Sequence, residues 1–138
     1  MSRILAIDYG RKRTGIAVTD PLRIIASGLT TVPTGEVFDF LQRYCAEDPV
    51  ECSVVSLPLH PDGNPAQLTA EIDAFVRKLN KLFPEKPVHR QDERFTSNTA
   101  KRVILESGAK KKTRQDKALV DKVAAALILE QFMEENHW

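Results

Sequence analysis

Apolar positions near the start of the chain come in short runs separated by turns, which is the pattern of β-strands. The runs cover Ile4 to Ile7, Gly15 to Thr19 and Ile24 to Thr31. Because the segments between them are short, they predict an antiparallel, three-stranded start. If the pairing is sequential, the second strand lies between the other two.

Helical and extended segments alternate in the middle of the chain. Apolar residues recur on one helical face from Val37 to Cys45, and the short segment Cys52 to Leu57, typical of a buried strand, follows them. This order predicts a helical crossover into a buried parallel strand. Asn64 and Pro65 then form a strong helix start, and helical spacing continues to about Leu82.

The last third of the chain predicts one more strand and two more helices. The strand covers Pro87 to Gln91, a helix runs from about Ser97 to Ser107, and the alanine-rich helix Val120 to Met133 should pack closely on the sheet. This order predicts an α/β, ribonuclease H-like fold whose mixed five-stranded sheet is flanked by helices. With no repeat or long linker, residues 1–138 should form one domain.

Cysteine usage and hydropathy indicate where the protein works. Cys45 and Cys52 do not form a C-x-x-C motif, and the three histidines are scattered, so no zinc site is predicted. Both cysteines are expected to be reduced, small core residues. No apolar stretch reaches the ~20 residues of a membrane span. We therefore expect a cytoplasmic protein without a membrane partner.

The net charge of +1 hides an uneven distribution of charge. From Thr34 to Asp73 there are eight acids against Arg43 alone, whereas Lys101 to Lys122 holds eight bases against three acids. A phosphate backbone would be attracted to the basic segment. A lysine-rich loop that only maintains solubility has the same composition, so the segment gains functional weight mainly from its neighbour Asp121.

Carboxylates stand at the ends of three predicted core elements. Asp8 ends the first strand, Asp92 and Glu93 end the fifth, and Asp121 lies near the start of the last helix. Oxygen ligands from distant parts of a chain suit Mg²⁺ or Mn²⁺, and two such ions can drive phosphodiester hydrolysis. Each acid alone is explained as well by a turn, an ion pair or a helix dipole. The three together favour a metal site.

Four motifs in a fixed order carry a resemblance to a known family. They are Ile7 to Val18, Leu57 to Gly63, Asp92 to Ser97, and Lys117 to Ala125. The chain resembles the YqgF family of ribonuclease H-like proteins, whose members are named as pre-16S ribosomal RNA nucleases and are related to RuvC-type Holliday-junction resolvases. The resemblance implies metal-binding catalytic acids at Asp8, Glu93 and Asp121, and Asp92 is a further candidate ligand.

Two positions depart from the resolvases that resemble this chain. Those resolvases carry an acid at the end of the fourth strand and another acid one turn along the last helix. Here the corresponding regions offer Ser56 with Leu57, and Ala124. The difference favours RNA processing over junction cleavage, and it requires Glu93 to complete the site from the fifth strand.

The leading hypothesis is an endonuclease that depends on Mg²⁺ or Mn²⁺ and cuts structured RNA, with precursor 16S ribosomal RNA favoured. It would act as a monomer or a dimer. Basic residues from the first turn and from the segment before the last helix are expected to hold the RNA backbone. They are Arg11, Lys12, Arg13, Lys110, Lys111, Lys112, Arg114, Lys117 and Lys122.

Three alternatives use the same pattern differently. A Holliday-junction-type DNA resolvase would use the same acids on DNA. A non-catalytic RNA-binding or transcription-factor module would keep the fold and bind RNA without turnover. An actin-like ATPase shares the opening hairpin, but it clamps nucleotide between two related domains, which one domain of 138 residues cannot do alone.

Overall fold

Five strands form one mixed sheet in a computed structural model, which describes residues 2–57, 65–92 and 117–136. The strands are β1 (Arg3–Asp8), β2 (Arg13–Thr19), β3 (Ala26–Pro33), β4 (Val50–Leu57) and β5 (Val88–Asp92). The helices are α1 (Val37–Glu47), α2 (Pro65–Leu82) and α3 (Lys117–Glu135), and a short 3₁₀ turn, Thr34–Glu36, precedes α1.

The strand order is β3-β2-β1-β4-β5, with β2 between β1 and β3 as the sequence predicted. β1 pairs antiparallel with β2, and β2 pairs antiparallel with β3. β1 and β4 are parallel, as are β4 and β5. The predicted three-stranded start and the crossover into a parallel strand are therefore confirmed.

The sheet has two faces of different character because strand side chains alternate. The two-helix face packs under α1 and α2 and includes Leu5, Ile7, Ile16, Val37, Leu41, Ile72, Phe75 and Leu79. The α3 face packs under the last helix and includes Ile4, Ala6, Ala17, Cys52, Val54, Ala125, Ile128, Leu129 and Phe132. Besides Ile4 and Val54, the strands contribute two alanines and a cysteine to the α3 face, so their side chains are smaller on average there than on the two-helix face.

Two glycines let α3 lie directly on the sheet. A Cβ atom on Gly15 of β2 would stand 2.2 Å from the carbonyl oxygen of Asp121, and one on Gly28 of β3 would stand 2.5 Å from the Cγ of Lys122. The hydroxyl of Thr31 also donates a hydrogen bond of 2.6 Å to the carbonyl of Ala118. Any larger residue at Gly15 would have to move helix backbone, so Gly15 sets how near the helix comes.

One predicted boundary is wrong. The third strand begins at Ala26, and the apolar residues Ile24 and Ile25 belong to the preceding turn. The carboxylate of Asp20 accepts hydrogen bonds from their amide groups at 2.7 and 2.8 Å, and Arg23 takes a φ of 58°. These bonds hold the turn in place of strand pairing and leave both isoleucine side chains more than half exposed.

Other predictions from the sequence have mixed outcomes. Cys45 and Cys52 are free thiols, as expected. No helix among the described residues is long and apolar enough to cross a membrane. The predicted helix at 97–107 lies outside the described residues, and the last helix is longer than predicted, since it extends from Lys117 to Glu135.

Candidate metal and nucleic-acid site

Asp8 and Asp121 are far apart in the sequence, but both lie next to Gly15. Asp8 is the last residue of β1 and is paired with Gly15 of β2. The backbone of Asp121 lies against the same glycine. Since Ile4 and Ala6 face α3, strand alternation puts Asp8 on that face too. The structure therefore brings two of the predicted acids to one corner of the sheet.

Asp121 is held by an ion pair with Arg13. The Nε of Arg13 donates to Oδ2 of the carboxylate, and the two side chains keep 38% and 22% of their surface exposed, respectively. Asp121 precedes the buried residues Ala124, Ala125 and Ile128 on α3, as the helical spacing predicted. An acid beside such an apolar surface needs a compensating charge, and Arg13 supplies it here.

Ser56 stands at the same end of the sheet. It lies one residue beyond the pair formed by Ile7 and Val55, and it pairs with Gln91 of β5. Its side chain has no exposed surface, and its Oγ has no hydrogen-bond partner among the described residues. A buried hydroxyl without a partner costs about 1–3 kcal/mol. It lies on the α3 face, since Cys52 and Val54 do and strand alternation continues to Ser56.

Sequence reasoning identifies Ser56 only in part. It places Ser56 and Leu57 where related resolvases carry an acid. The burial of Ser56 and its lack of a partner among the described residues depend on how distant parts of the chain pack around β4. That packing is a tertiary property that no local pattern reveals.

The basic turn between β1 and β2 sends its two arginines to different helices. Arg11 pairs with Glu71 of α2 at 3.1 Å, whereas Arg13 pairs with Asp121 of α3. Lys12, between them, is exposed. The predicted nucleic-acid contacts of this turn therefore comprise one arginine at the candidate metal site and two basic residues nearer solvent.

The backbone of this turn is tightly constrained. A Cβ atom on Gly10 would stand 2.4 Å from the carbonyl oxygen of Arg13. The hydroxyl of Thr34 donates to the carbonyl of Gly10 at 2.6 Å, and its amide donates to the carbonyl of Lys12 at 3.0 Å. The side chain of Arg13 thus extends from a fixed backbone.

Tyr9 anchors the start of the turn on the two-helix face. Its ring packs on Phe75 of α2, with 5.1 Å between the ring centroids. Burial, aided by the negative charge of Glu71, raises the pKa of Tyr9 above its ordinary value. The phenol therefore stays protonated and neutral, and it fixes the chain immediately after Asp8.

The remaining predicted residues are located only in part. Asp92 ends β5 opposite Leu57, and Lys117 is the first residue of α3. The stem of Lys122 covers Gly28. Outside the described residues lie Glu93, Lys110, Lys111, Lys112 and Arg114. Among residues 2–57, 65–92 and 117–136, no group of three histidine, cysteine, aspartate or glutamate residues could hold a metal.

Comparison with known proteins covers nearly the whole chain. The profile of a family described as RuvX, Holliday junction resolvase, matches residues 2–135. A protein of Bacteroides thetaiotaomicron named "Putative pre-16S rRNA nuclease" is 53% identical over 138 residues, which is 100% of both chains. One of the same name from Bacteroides fragilis is 52% identical over 134 residues and covers 97% of each chain.

Solved structures resemble the fold at much lower sequence identity. RuvC of T. thermophilus, solved in complex with a Holliday junction substrate, has a TM-score of 0.59 and 17% identity, and the match covers 99% of this chain and 96% of that one. The likeness confirms the predicted ribonuclease H-like fold.

Proposed function

The chain belongs to the RuvX family, and we propose that it is a divalent-metal-dependent endonuclease that hydrolyses phosphodiester bonds of structured RNA. Precursor 16S ribosomal RNA is the proposed substrate, and the cytoplasm is the proposed location. The names of relatives about half identical over their full length support this proposal. The observation that carries it is the meeting of Asp8 and Asp121 across Gly15.

The described residues supply part of a site for a hard divalent ion. Two carboxylates lie on the α3 face at the carboxyl end of β1, and the buried Oγ of Ser56 lacks a partner at the same end of the sheet. Oxygen donors of this kind suit Mg²⁺ or Mn²⁺. We propose Glu93, which follows Asp92 in the sequence, as the third ligand, and Asp92 as an additional one. The bound ion would supply water activation and neutralise charge on the phosphate.

The basic residues would hold and orient the RNA backbone. Arg11 and Lys12 lie on an exposed turn next to Asp8, so an RNA strand at the candidate site could contact them. Lys117, Lys122 and the segment with Lys110, Lys111, Lys112 and Arg114 would extend this contact. Because such contacts release counterions, RNA affinity should fall steeply as salt concentration rises.

Junction cleavage is the second candidate function. The description of the family and the fold shared with RuvC favour it. The fourth strand, however, ends in Ser56 and Leu57, where related resolvases carry an acid. A site with a different set of acids supports a different substrate, so we rank RNA first.

The test is cleavage by the purified full chain of precursor 16S RNA and of a four-way DNA junction, each with and without Mg²⁺ or Mn²⁺. Asp121→Asn should fold normally and lose at least about 100-fold of its metal-dependent RNA cleavage, because loss of a ligand should exceed the 10- to 100-fold cost of losing an outer-shell partner. Asp8→Asn should behave in the same way.

Asp73→Asn is the matched control, because Asp73 is an acid of α2 that pairs with Arg90 at 3.3 Å. It should cleave at the rate of the unmodified protein. Full cleavage by folded Asp121→Asn would refute the metal-site assignment. Cleavage of the junction alone would reverse the ranking of substrates, and RNA binding without turnover under any ion would support a non-catalytic module.

A further inference from the structure

The ion pair between Arg13 and Asp121 places a cation of the protein on a proposed metal ligand. We propose that Arg13 is an internal counterion that weakens metal binding in the RNA-free protein, and that a backbone phosphate of RNA relieves this competition by attracting the guanidinium. This inference rests on the proposed function and adds regulation to it: the site would gain its metal together with its substrate.

The side chain of Arg13 can change partners, whereas its backbone is held in place. Its backbone is fixed by the close contact with Gly10 and by the bonds from Thr34. Its side chain keeps 38% of its surface exposed, so a phosphate can reach it from solvent. Guanidinium groups bind carboxylate and phosphate with similar donor geometry, so exchange between the two partners requires only a change of rotamer.

Electrostatics gives the direction of the effect. A positive charge in contact with Asp121 lowers the negative potential that attracts a divalent ion, and it occupies Oδ2. When Arg13 moves to a phosphate, the negative potential at Asp121 is restored and Oδ2 is available to the metal ion. Since coupling between two ligands is reciprocal, a metal ion that releases Arg13 must also strengthen RNA binding.

The neighbouring arginine provides a matched comparison. Arg11 lies in the same turn and carries the same charge, but it pairs with Glu71 of α2. Removing its charge changes the net charge of the turn equally while leaving the contact with Asp121 in place. A difference between the two substitutions therefore isolates the Arg13–Asp121 contact from the general potential of the protein.

The experiment measures Mn²⁺ affinity of the full chain without RNA, by isothermal titration calorimetry. Arg13→Gln should bind Mn²⁺ about three- to fivefold more tightly than the unmodified protein, because a partly exposed ion pair contributes modestly. Arg13→Lys keeps the charge and should stay near the unmodified affinity. Arg11→Gln should change it less than twofold, and thermal melting should show that all variants are folded.

A second measurement tests the coupling to RNA. The affinity of a labelled precursor 16S RNA fragment is determined in EDTA and in Ca²⁺. The gain produced by Ca²⁺ should be larger for the unmodified protein than for Arg13→Gln, because only the unmodified protein has an arginine to release.

Each contrary outcome has a distinct meaning. Unchanged Mn²⁺ affinity in Arg13→Gln, or equal tightening in Arg11→Gln, would overturn the counterion proposal and leave the nuclease intact. Weaker Mn²⁺ binding in Arg13→Gln would also overturn it and make Arg13 a residue that orients Asp121. Absence of Mn²⁺ binding in every variant, together with no effect of Ca²⁺ on RNA affinity, would overturn the metal-dependent function together with this proposal.

Discussion

The two faces of the sheet pack against their helices in different ways. On the two-helix face, large side chains such as Leu79 and Phe75 separate the helices from the strands. On the α3 face, Gly15 and Gly28 let the helix backbone and the Lys122 stem come close to the strands. Large side chains keep the helices apart from the strands on the first face, whereas the missing side chain at Gly15 lets Asp121 come close to Asp8 on the second. Stability and site geometry should therefore respond to different mutations.

The largest expected effect on stability comes from the two-helix face. Leu79→Ala should lower the free energy of unfolding by about 2–5 kcal/mol, because it leaves a cavity under α2 at a side chain with 1% exposure. Urea denaturation measures the loss. Mn²⁺ affinity, measured where the variant is folded, should be unchanged. A parallel loss of Mn²⁺ binding would show that the two faces are not independent.

Gly15→Ala should affect Mn²⁺ affinity more than it affects stability. Its Cβ would collide with the Asp121 carbonyl, so the α3 backbone must shift at a cost of about 1–3 kcal/mol. Because a displacement of about 1 Å can impair a site strongly, Mn²⁺ affinity should fall at least about tenfold. Calorimetry with Mn²⁺ and urea denaturation measure the two effects on one variant.

Two other glycines provide graded controls. A Cβ at Gly28 would stand 2.5 Å from the Cγ of Lys122 and 3.0 Å from its carbonyl oxygen, so the backbone is less crowded than at Gly15 and Gly28→Ala should have a smaller effect than Gly15→Ala. Nothing lies within 4 Å of a Cβ at Gly35, and Gly35→Ala should stay within about 0.5 kcal/mol of the unmodified stability. Equal effects at Gly15 and Gly35 would contradict the role of close approach.

The smallest expected effect is on the rates at which the two thiols react with a labelling reagent. Burial raises the pKa of Cys52, beneath α3, to about 11, and it also raises that of the half-buried Cys45. At pH 8 both thiols are protonated, and Cys45 should react first with iodoacetamide because it is more accessible. Mass spectrometry measures the labelling rate of Cys52 in Gly15→Ala. A faster rate would show that α3 has moved away from the sheet, whereas an unchanged rate would argue against that movement.

Local patterns predicted most of the fold, and the three acids stay predictions. Short apolar runs predicted the strands and their order along the chain, and helical spacing from Asp121 to Phe132 predicted the buried side of α3. They failed at Ile24 and Ile25, because hydrogen bonds to Asp20 outweighed the apolar pattern.

The relations within the site were less accessible to sequence reasoning. Arg13 was predicted as an RNA contact, whereas the structure pairs it with Asp121. The pairing of Asp8 with Gly15 depends on the register of β1 and β2, and the contact of Gly15 with Asp121 depends on how α3 crosses the sheet. Both are long-range relations that spacing along the chain does not encode.

The meeting of Asp8 and Asp121 across Gly15 also has a consequence for biosynthesis. Asp121 follows Asp8 by more than 100 residues in the sequence, so Asp8 is synthesised well before it. At about 5–20 residues per second, the first carboxylate waits several seconds for the second. A nascent chain therefore cannot assemble this pair of acids before α3 has been synthesised, and the proposed nuclease is inert until then.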